Sequence, residues 1–171
     1  DTYWLNRNVV LTGGGTIEKI DDVRFISNFS SGKMATNLAT ALYYSGANVS
    51  FITTQHLDVP KDIHTIDIQN TNDMFEYTQS SIQIAKKGKM INSSDTEEME
   101  LIQKKPYFFS VAAVSDYVPS ESQNGKLKKS DIGENWNLQW HKNIDSLNSI
   151  DKEDIYSIGF KAELDQSLAQ T

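Results

Sequence analysis

Hydrophobic and polar positions fall into two rhythms along this chain, and the rhythms take turns. Residues 8–12 form a short β-branched apolar run that predicts a strand. Gly13, Gly14 and Gly15 interrupt it, and residues 16–28 follow as a long polar connection with apolar anchors at Ile17, Ile20, Val23, Phe25 and Ile26. Over residues 33–44 the period becomes helical, with Met34, Leu38, Ala41 and Leu42 as the expected buried stripe and Ser45-Gly46 as the stop. Residues 49–53 and 63–68 predict two further strands, and 71–87 a helix closed by Gly88. A Ser94-x-x-Glu97 capping pattern predicts a second helix over 96–105, ended by Pro106.

Residues 107–114 (YFFSVAAV) are almost unbroken in apolarity, the pattern of a parallel strand covered on both faces, with Ser115-Asp116 at its end. Residues 117–131 hold Pro119, Gly125 and three lysines and predict a mobile loop. Short strands are expected at 136–140 and 155–160. Strands alternating with helices imply a three-layer α/β fold with a mostly parallel sheet. Ligands in such sheets bind beyond the strand C-termini, the edge to which Gly13–Gly15, Asp116 and the residues after Phe160 belong.

Composition narrows the chemistry. At 171 residues with 38% hydrophobic content the chain fits one globular domain. It starts at Asp1 and stops at Thr171 in what reads as the opening of another helix, so we expect a piece excised from a longer protein and truncated at its C-terminus. Tyr3 and Trp4 read equally as a face for a preceding domain or as a simple surface pair. No apolar run is long enough for a membrane span, so no membrane partner is expected. The absence of cysteine excludes disulfides, thiolate metal sites and cysteine nucleophiles, and fits a cytoplasmic setting. A net charge of −7 argues against general nucleic-acid affinity.

The candidate chemistry is anion binding. Gly13–Gly15 and Ser30-Ser31-Gly32 flank one strand-to-helix connection, and backbone N–H groups at such turns and helix entrances hold phosphate. A P-loop is not matched: Met34 follows Gly32-Lys33, and Ser27 stands where its first glycine belongs. A dinucleotide fingerprint is disfavoured too, because Thr16-Ile17-Glu18 rather than a helix follows the glycines and the second strand ends in Thr53-Thr54 rather than an acid. A divided phosphate site remains. The same residues also suit plainer roles: a tight turn at the glycines, a helix cap at Ser30–Gly32, turn caps at Asn28 and Asp116, and a solvated loop at Lys126, Lys128 and Lys129.

The order of these segments resembles the phosphopantothenate–cysteine ligase family. Residues 11–34 (LTGGGTIEKIDDVRFISN-x-SSGKM) carry most of the resemblance, followed by AAVSDYVP at 112–119, KLKK at 126–129 and, more weakly, SIGFKAE at 157–163. The resemblance implies a Rossmann-like fold and a CTP-dependent ligation. The carboxylate of 4′-phosphopantothenate attacks the α-phosphate of CTP, pyrophosphate leaves, and the cysteine amine then attacks the acyl-cytidylate to release CMP. It further implies Mg2+ with the triphosphate, metal ligands not being identified, and a homodimer fused to a decarboxylase domain.

By the same resemblance Lys126 steadies charge at the α-phosphate from a lid-like loop, and Asn28 meets the acyl-cytidylate and assists amide formation. Gly14, Gly15 and Thr16 line the nucleotide; Ser30, Ser31 and Gly32 cradle phosphate; Asp116 binds on the ribose or cation side. Val111, Ala112, Ile158, Gly159 and Phe160 frame the cytosine. His56, His64 and His141 lie in no matching motif and are expected to be surface or structural. Three departures stand out: Ala35 for a glycine, Lys161 for a small residue, and a longer segment over 81–105, expected to be a helical insertion. Two alternatives stay open, a non-catalytic nucleotide-binding module of the same fold and an NAD(P)-binding Rossmann domain.

Overall fold

The computed structural model describes residues 2–160 apart from His56, Ile144 and Ser146, so the expectations for His56, for Lys161 to Glu163 and for a helix opening towards Thr171 lie outside the described residues. In chain order the strands are β1 (Asn8–Gly13), β2 (Ile17–Lys19), β3 (Phe25–Ser27), β4 (Asn48–Thr53), β5 (His64–Asp67), β6 (Lys89–Asn92), β7 (Met99–Ile102), β8 (Tyr107–Ser110), β9 (Tyr117–Pro119), β10 (Trp140–Lys142) and β11 (Tyr156–Gly159). The helices are α1 (Lys33–Tyr44), α2 (Thr71–Ala85) and the single-turn α3 (Lys129–Ile132).

A five-stranded sheet in the order β11-β8-β1-β4-β5, parallel throughout, forms the centre. Successive strand residues face opposite sides, and the core divides accordingly. Val9 and Leu11 join Val49, Phe51 and Phe109 against Ala35, Ala39 and Leu42 of α1. Val10, Ile52 and Phe108 point the other way, against Met74, Ile82 and Ala85 of α2 with Ile150 and Ile155. One helix on each face gives the three-layer α/β fold expected from the sequence, and β8 is covered on both faces as its apolar run implied. Asn70 caps α2 by accepting the Asp73 N–H at 2.8 Å.

The α1 stripe is displaced from expectation. Ala35, Thr36, Ala39 and Leu42 are buried, whereas Met34 is 54% exposed and Ala41 is also exposed. The cause is close approach: a Cβ built on Gly13 would stand 2.6 Å from the Ala35 Cβ, so only small residues fit where this helix crosses β1. Thr36 is buried at no polar cost because its Oγ1 donates to the Gly32 carbonyl at 2.9 Å.

Three other expectations are corrected. Residues 96–105 are not helical; β7 pairs antiparallel with β6 in a hairpin. A helix of that length without a packed face is marginal in water, and Gly88 (φ 82°) turns the chain out of α2 directly into the hairpin, its Cα so close to the Ile102 carbonyl that an added Cβ would lie 2.5 Å away. The 81–105 segment is therefore a hairpin insertion rather than a helical one. The 136–140 strand shifts to β10, which pairs antiparallel with β9. Residues 16–28 fold as the β2–β3 hairpin.

Tyr3 and Trp4 serve this chain's own sheet. The Trp4 ring lies 4.8 Å from that of Tyr107 and 6.4 Å from that of Phe109. Tyr3 hydrogen-bonds the Tyr107 hydroxyl, which together with burial raises the Tyr107 pKa above its usual 10.0.

The displaced stripe is open to measurement by urea unfolding. Leu42→Ala should cost about 2–5 kcal/mol, the range for truncating a buried leucine. Met34→Ala should stay within about 0.5 kcal/mol, as exposed sites do. The reverse ranking would restore the stripe read from periodicity alone.

Candidate functional site

The chain leaves β1 for α1 and β4, goes on to β5, and returns to β8 and β11 on the other side of β1. The strand order thus reverses between β1 and β8, and the crevice beyond such a reversal is where open α/β sheets hold ligands. At that point Gly15 bridges Ala113, the Ala113 N–H donates to the Gly14 carbonyl (2.8 Å), and the Thr16 N–H donates to the Ala113 carbonyl (3.0 Å).

The glycines there are occupied by protein. Gly14 has φ 80°, and a Cβ on it would stand 2.1 Å from Thr54 Oγ1. On Gly15 a Cβ would come within 2.7 Å of the Asn28 carbonyl oxygen. Their lack of a side chain lets the end of β4 and the base of the β2–β3 hairpin close on β1, so the tight-turn reading of Gly13–Gly15 describes their packing. Thr16 is fully buried, and its Oγ1 accepts the Ser115 N–H at 3.1 Å. It acts as a tie between β1 and the end of β8.

Asn28 is exposed at the hairpin base, where its Nδ2 donates to the Val114 carbonyl at 3.1 Å. Among the described residues its Oδ1 accepts no hydrogen bond. The helix entrance follows directly. Gly32 is the N-cap of α1 in the left-handed region (φ 68°) with no side-chain cap, and the first turn holds no acid. Ser31 Oγ approaches the Lys33 N–H only at 3.4 Å. The first-turn N–H groups of Met34 and Ala35 have no intrahelical partner, as at any helix start, so this end favours an anion. The ordinary N-cap reading of the serines is therefore replaced by an uncapped entrance.

β8 ends at Ser110 rather than running to Val114 as expected, so Val111 and Ala112 follow the strand at its C-terminal rim, and Ile158 and Gly159 pair with Phe109 and Ser110. Phe160 N–H donates to the Ser110 carbonyl at 3.2 Å. Ile158 and Phe160 are exposed, and among the described residues nothing lies within 4 Å of a Cβ built on Gly159. Asp116 is exposed, and its carbonyl accepts the Asn143 N–H at 2.7 Å.

The structure thus brings Gly14, Gly15, Thr16, Asn28, Ser30, Ser31, Gly32, Val111 and Ala112 to one rim, with Ile158–Phe160 one strand over. Among the described residues, no hydrogen bond or ion pair joins Lys126 to them. That lysine stands on a segment joined to the outer turn of the β2–β3 hairpin, where the Gln123 N–H donates to the Ile20 carbonyl at 3.0 Å and Asp22 and Gly125 exchange bonds. The expected mobile loop at 117–131 is instead β9, this anchored stretch and α3. A cavity of about 580 Å³ lies beside it, lined by Ile20, Leu127 and Trp136 among others.

Sequence reasoning missed Gln55, whose Nε2 donates to the Ser30 carbonyl at 2.5 Å and holds the helix entrance. It also missed Thr54, whose Oγ1 is buried without a hydrogen-bond partner among the described residues. The polar Thr53-Thr54-Gln55 run after an apolar strand was the available signal. Glu18 was overlooked as well: its carboxylate accepts from the Thr71 N–H (3.0 Å) and hydroxyl (2.6 Å), fastening the hairpin to α2. Exposed His64 and His141 take no part in the rim.

A family model described as the DNA/pantothenate metabolism flavoprotein C-terminal domain matches residues 4–171. The coenzyme A biosynthesis bifunctional protein CoaBC of Vibrio vulnificus (strain YJ016) is 31% identical over 162 residues, which is 92% of this chain and 35% of that protein. This chain spans about a third of the length of the curated relatives it matches. The solved DNA/pantothenate metabolism flavoprotein from Streptococcus pneumoniae superposes with a TM-score of 0.67 at 25% identity, over 91% of this chain and 69% of that one. A Cab2 mutant in complex with phosphopantothenate-cysteine shares the fold, with a TM-score of 0.64 at 18% identity over 95% of this chain and 66% of that one.

The anchored turn carries a pH signature. Burial alone would push the Asp21 carboxyl up, but N–H donation from Val23, Leu127 and Arg24 and the Arg24 charge outweigh it and hold the carboxyl below its usual 3.8. A depressed carboxylate contributes stability that is fully present above the unfolded value and lost as pH falls through the folded one. The stability gap between the native chain and Asp21→Asn, read from urea midpoints, should therefore be widest at neutral pH and close below about pH 3.8. A gap that stays constant with pH would show that the charge is not what matters.

Proposed function

This chain belongs to the DNA/pantothenate metabolism flavoprotein C-terminal domain family, and from that premise we propose that it is a ligase domain joining 4′-phosphopantothenate to cysteine at the expense of CTP. The observation that carries this reading is the uncapped, acid-free entrance of α1 beside Asn28 and the end of β8, at the point where the strand order reverses. Phosphate takes the N–H groups of that entrance with the Ser30 and Ser31 hydroxyls, and the base lies over Ala112 and Gly159, where, among the described residues, open space adjoins exposed Ile158 and Phe160.

The substrate carboxylate oxygen attacks the α-phosphorus, the bond to the β-phosphate oxygen breaks and pyrophosphate leaves. Lys126 meets the charge that develops there, worth about 3 kcal/mol when such a donor acts out of water. The cysteine amine then attacks the acyl carbon, loses a proton and expels CMP. Asn28 suits that step because its Nδ2 is fixed and its Oδ1 is free to accept from the amine. Magnesium accompanies the triphosphate in this reading. Among the described residues no group of three metal-ligating side chains assembles; Asp116, exposed just past β8, is the carboxylate that would stand nearest an ion accompanying the triphosphate. A homodimer and a fused decarboxylase domain belong to the same reading; the Vibrio relative is by its name bifunctional. An NAD(P) site is less well supported, since β4 ends at Thr53 with no acid to hold a ribose.

Thermal shift against CTP, ATP, NAD and NADP with magnesium should give the largest rise with CTP, because a ligand that binds only the folded state raises its midpoint. A rise with NADP alone would favour the dinucleotide reading, and CTP binding without turnover the non-catalytic module. With 4′-phosphopantothenate, CTP and cysteine supplied, Lys126→Gln should abolish pyrophosphate release with the fold intact. Asn28→Asp should leave that release and accumulate acyl-cytidylate. Normal turnover in either variant removes that residue from the mechanism.

A further inference from the structure

Lys126 is exposed and, among the described residues, has no hydrogen-bond or ion-pair partner, yet the chain on both sides of it is held. On one side the Gly125 N–H donates to Asp22 Oδ2 at 2.6 Å, and the Asp22 N–H donates back to the Gly125 carbonyl at 3.2 Å. On the other the Leu127 N–H donates to Asp21 Oδ2 at 3.2 Å, and Arg24 Nη2 donates to the Leu127 carbonyl at 2.8 Å. Asp21 is 1% exposed, and its second oxygen takes the N–H groups of Val23 and Arg24, both at 2.8 Å. The Arg24 guanidinium sits 3.5 Å from Asp21 Oδ2 and 4.6 Å from the centre of the Trp136 ring. A buried carboxylate thus organises its own turn with one oxygen and reaches across 106 positions of sequence with the other.

We propose that Asp21 is a positioning residue for Lys126: the turn from Asp21 to Arg24 latches the main chain at Gly125 and Leu127, so that only the lysine side chain has to be ordered when the triphosphate arrives. This rests on the reading of Lys126 as the cation at the α-phosphate. The carboxylate is required by its donors. Three main-chain N–H groups converge on two oxygens, and an amide in the same place would turn an NH₂ donor towards one of them. Asp22, exposed and bonded to Gly125 alone, is the weaker half of the latch.

Two measurements on the intact chain test this. The first is limited trypsin digestion with the cut sites mapped by mass. Cleavage after Lys126, Lys128 and Lys129 should accelerate roughly tenfold in Asp21→Asn relative to cleavage after Lys89, because proteolysis follows the open population. Unchanged cleavage there overturns the latch, whatever Lys126 does. The second is steady-state pyrophosphate release. A loop that is competent only part of the time raises the apparent binding constant by the inverse of that fraction, so KM for CTP should rise roughly tenfold while kcat at saturation is kept. A fall in kcat with KM unchanged means a smaller folded fraction and overturns the positioning role. Should Asp21→Asn fail to fold, Asp22→Ala replaces it, with smaller changes in the same directions required. If Lys126→Gln turns over normally, the lysine reading falls and the positioning claim with it, while the trypsin result still decides whether the latch exists.

Discussion

Three missing side chains at the end of β1 are the constraint from which the rest of this molecule follows. Gly13 admits Ala35 and Phe51, Gly14 admits Thr54, and Gly15 admits the Asn28 carbonyl. These neighbours come from three elements: α1, β4 and its end, and the base of the β2–β3 hairpin. Any side chain in the triplet would push one of them away from the central strand. The close approach is what allows a helix entrance, a strand end and a hairpin base to meet at one rim. It costs backbone freedom, which is why the triplet lies where packing on both sides can hold it. The sites then available to a ligand are the groups these glycines bring together, rather than the glycines themselves.

In the proposed reading this acidic protein takes an anion, and its own carboxylates must not oppose it. Here two of those nearest the motif are used internally. Glu18 accepts from Thr71, and Asp21 accepts from three main-chain N–H groups and pairs with Arg24. A carboxylate surrounded by donors keeps its charge but directs its field into its own shell. The α1 entrance, with no acid in its first turn, then presents its dipole unopposed. The net charge of −7 governs long-range encounter; it does not describe the rim.

How much of this was legible in the sequence depends on range. The β1, β4 and β8 strands and both long helices follow from periodicity, because their buried faces write themselves into the residue order, while β5 and β11 are marked by the buried isoleucines that flank them, Ile63, Ile68 and Ile155. The parallel sheet follows from their alternation. The hairpins were hidden because their pairing partners, rather than the propensity of their own residues, decide them. The α1 face was misplaced because a contact between small residues at Gly13 carries no large apolar side chain to mark it. At the site, the residue types at the rim could be read from the motif. The anchoring of residues 123–127 could not, since Asp21 and Leu127 are 106 positions apart and neither is unusual for its neighbourhood.

The extent of the motif over residues 11–34 now has a physical reason. Its first part is the central strand and its glycine end. Its middle is a hairpin gripped at both ends, at Glu18 by the start of α2 and at Asp21 by Leu127. Its last part is Asn28, tied to Val114, and the α1 entrance, tied to Gln55. The Thr71 hydroxyl that Glu18 holds also accepts from Asn143, which donates in turn to the Ser115 carbonyl, while Ser115 N–H reaches Thr16. These bonds close a ring through the ends of β1, β8 and α2, with the hairpin as one of its sides. The hairpin that carries Asn28 to the rim is thus the same element whose outer turn anchors the lysine segment, so one short supersecondary unit links two parts of the chain that lie about a hundred positions apart.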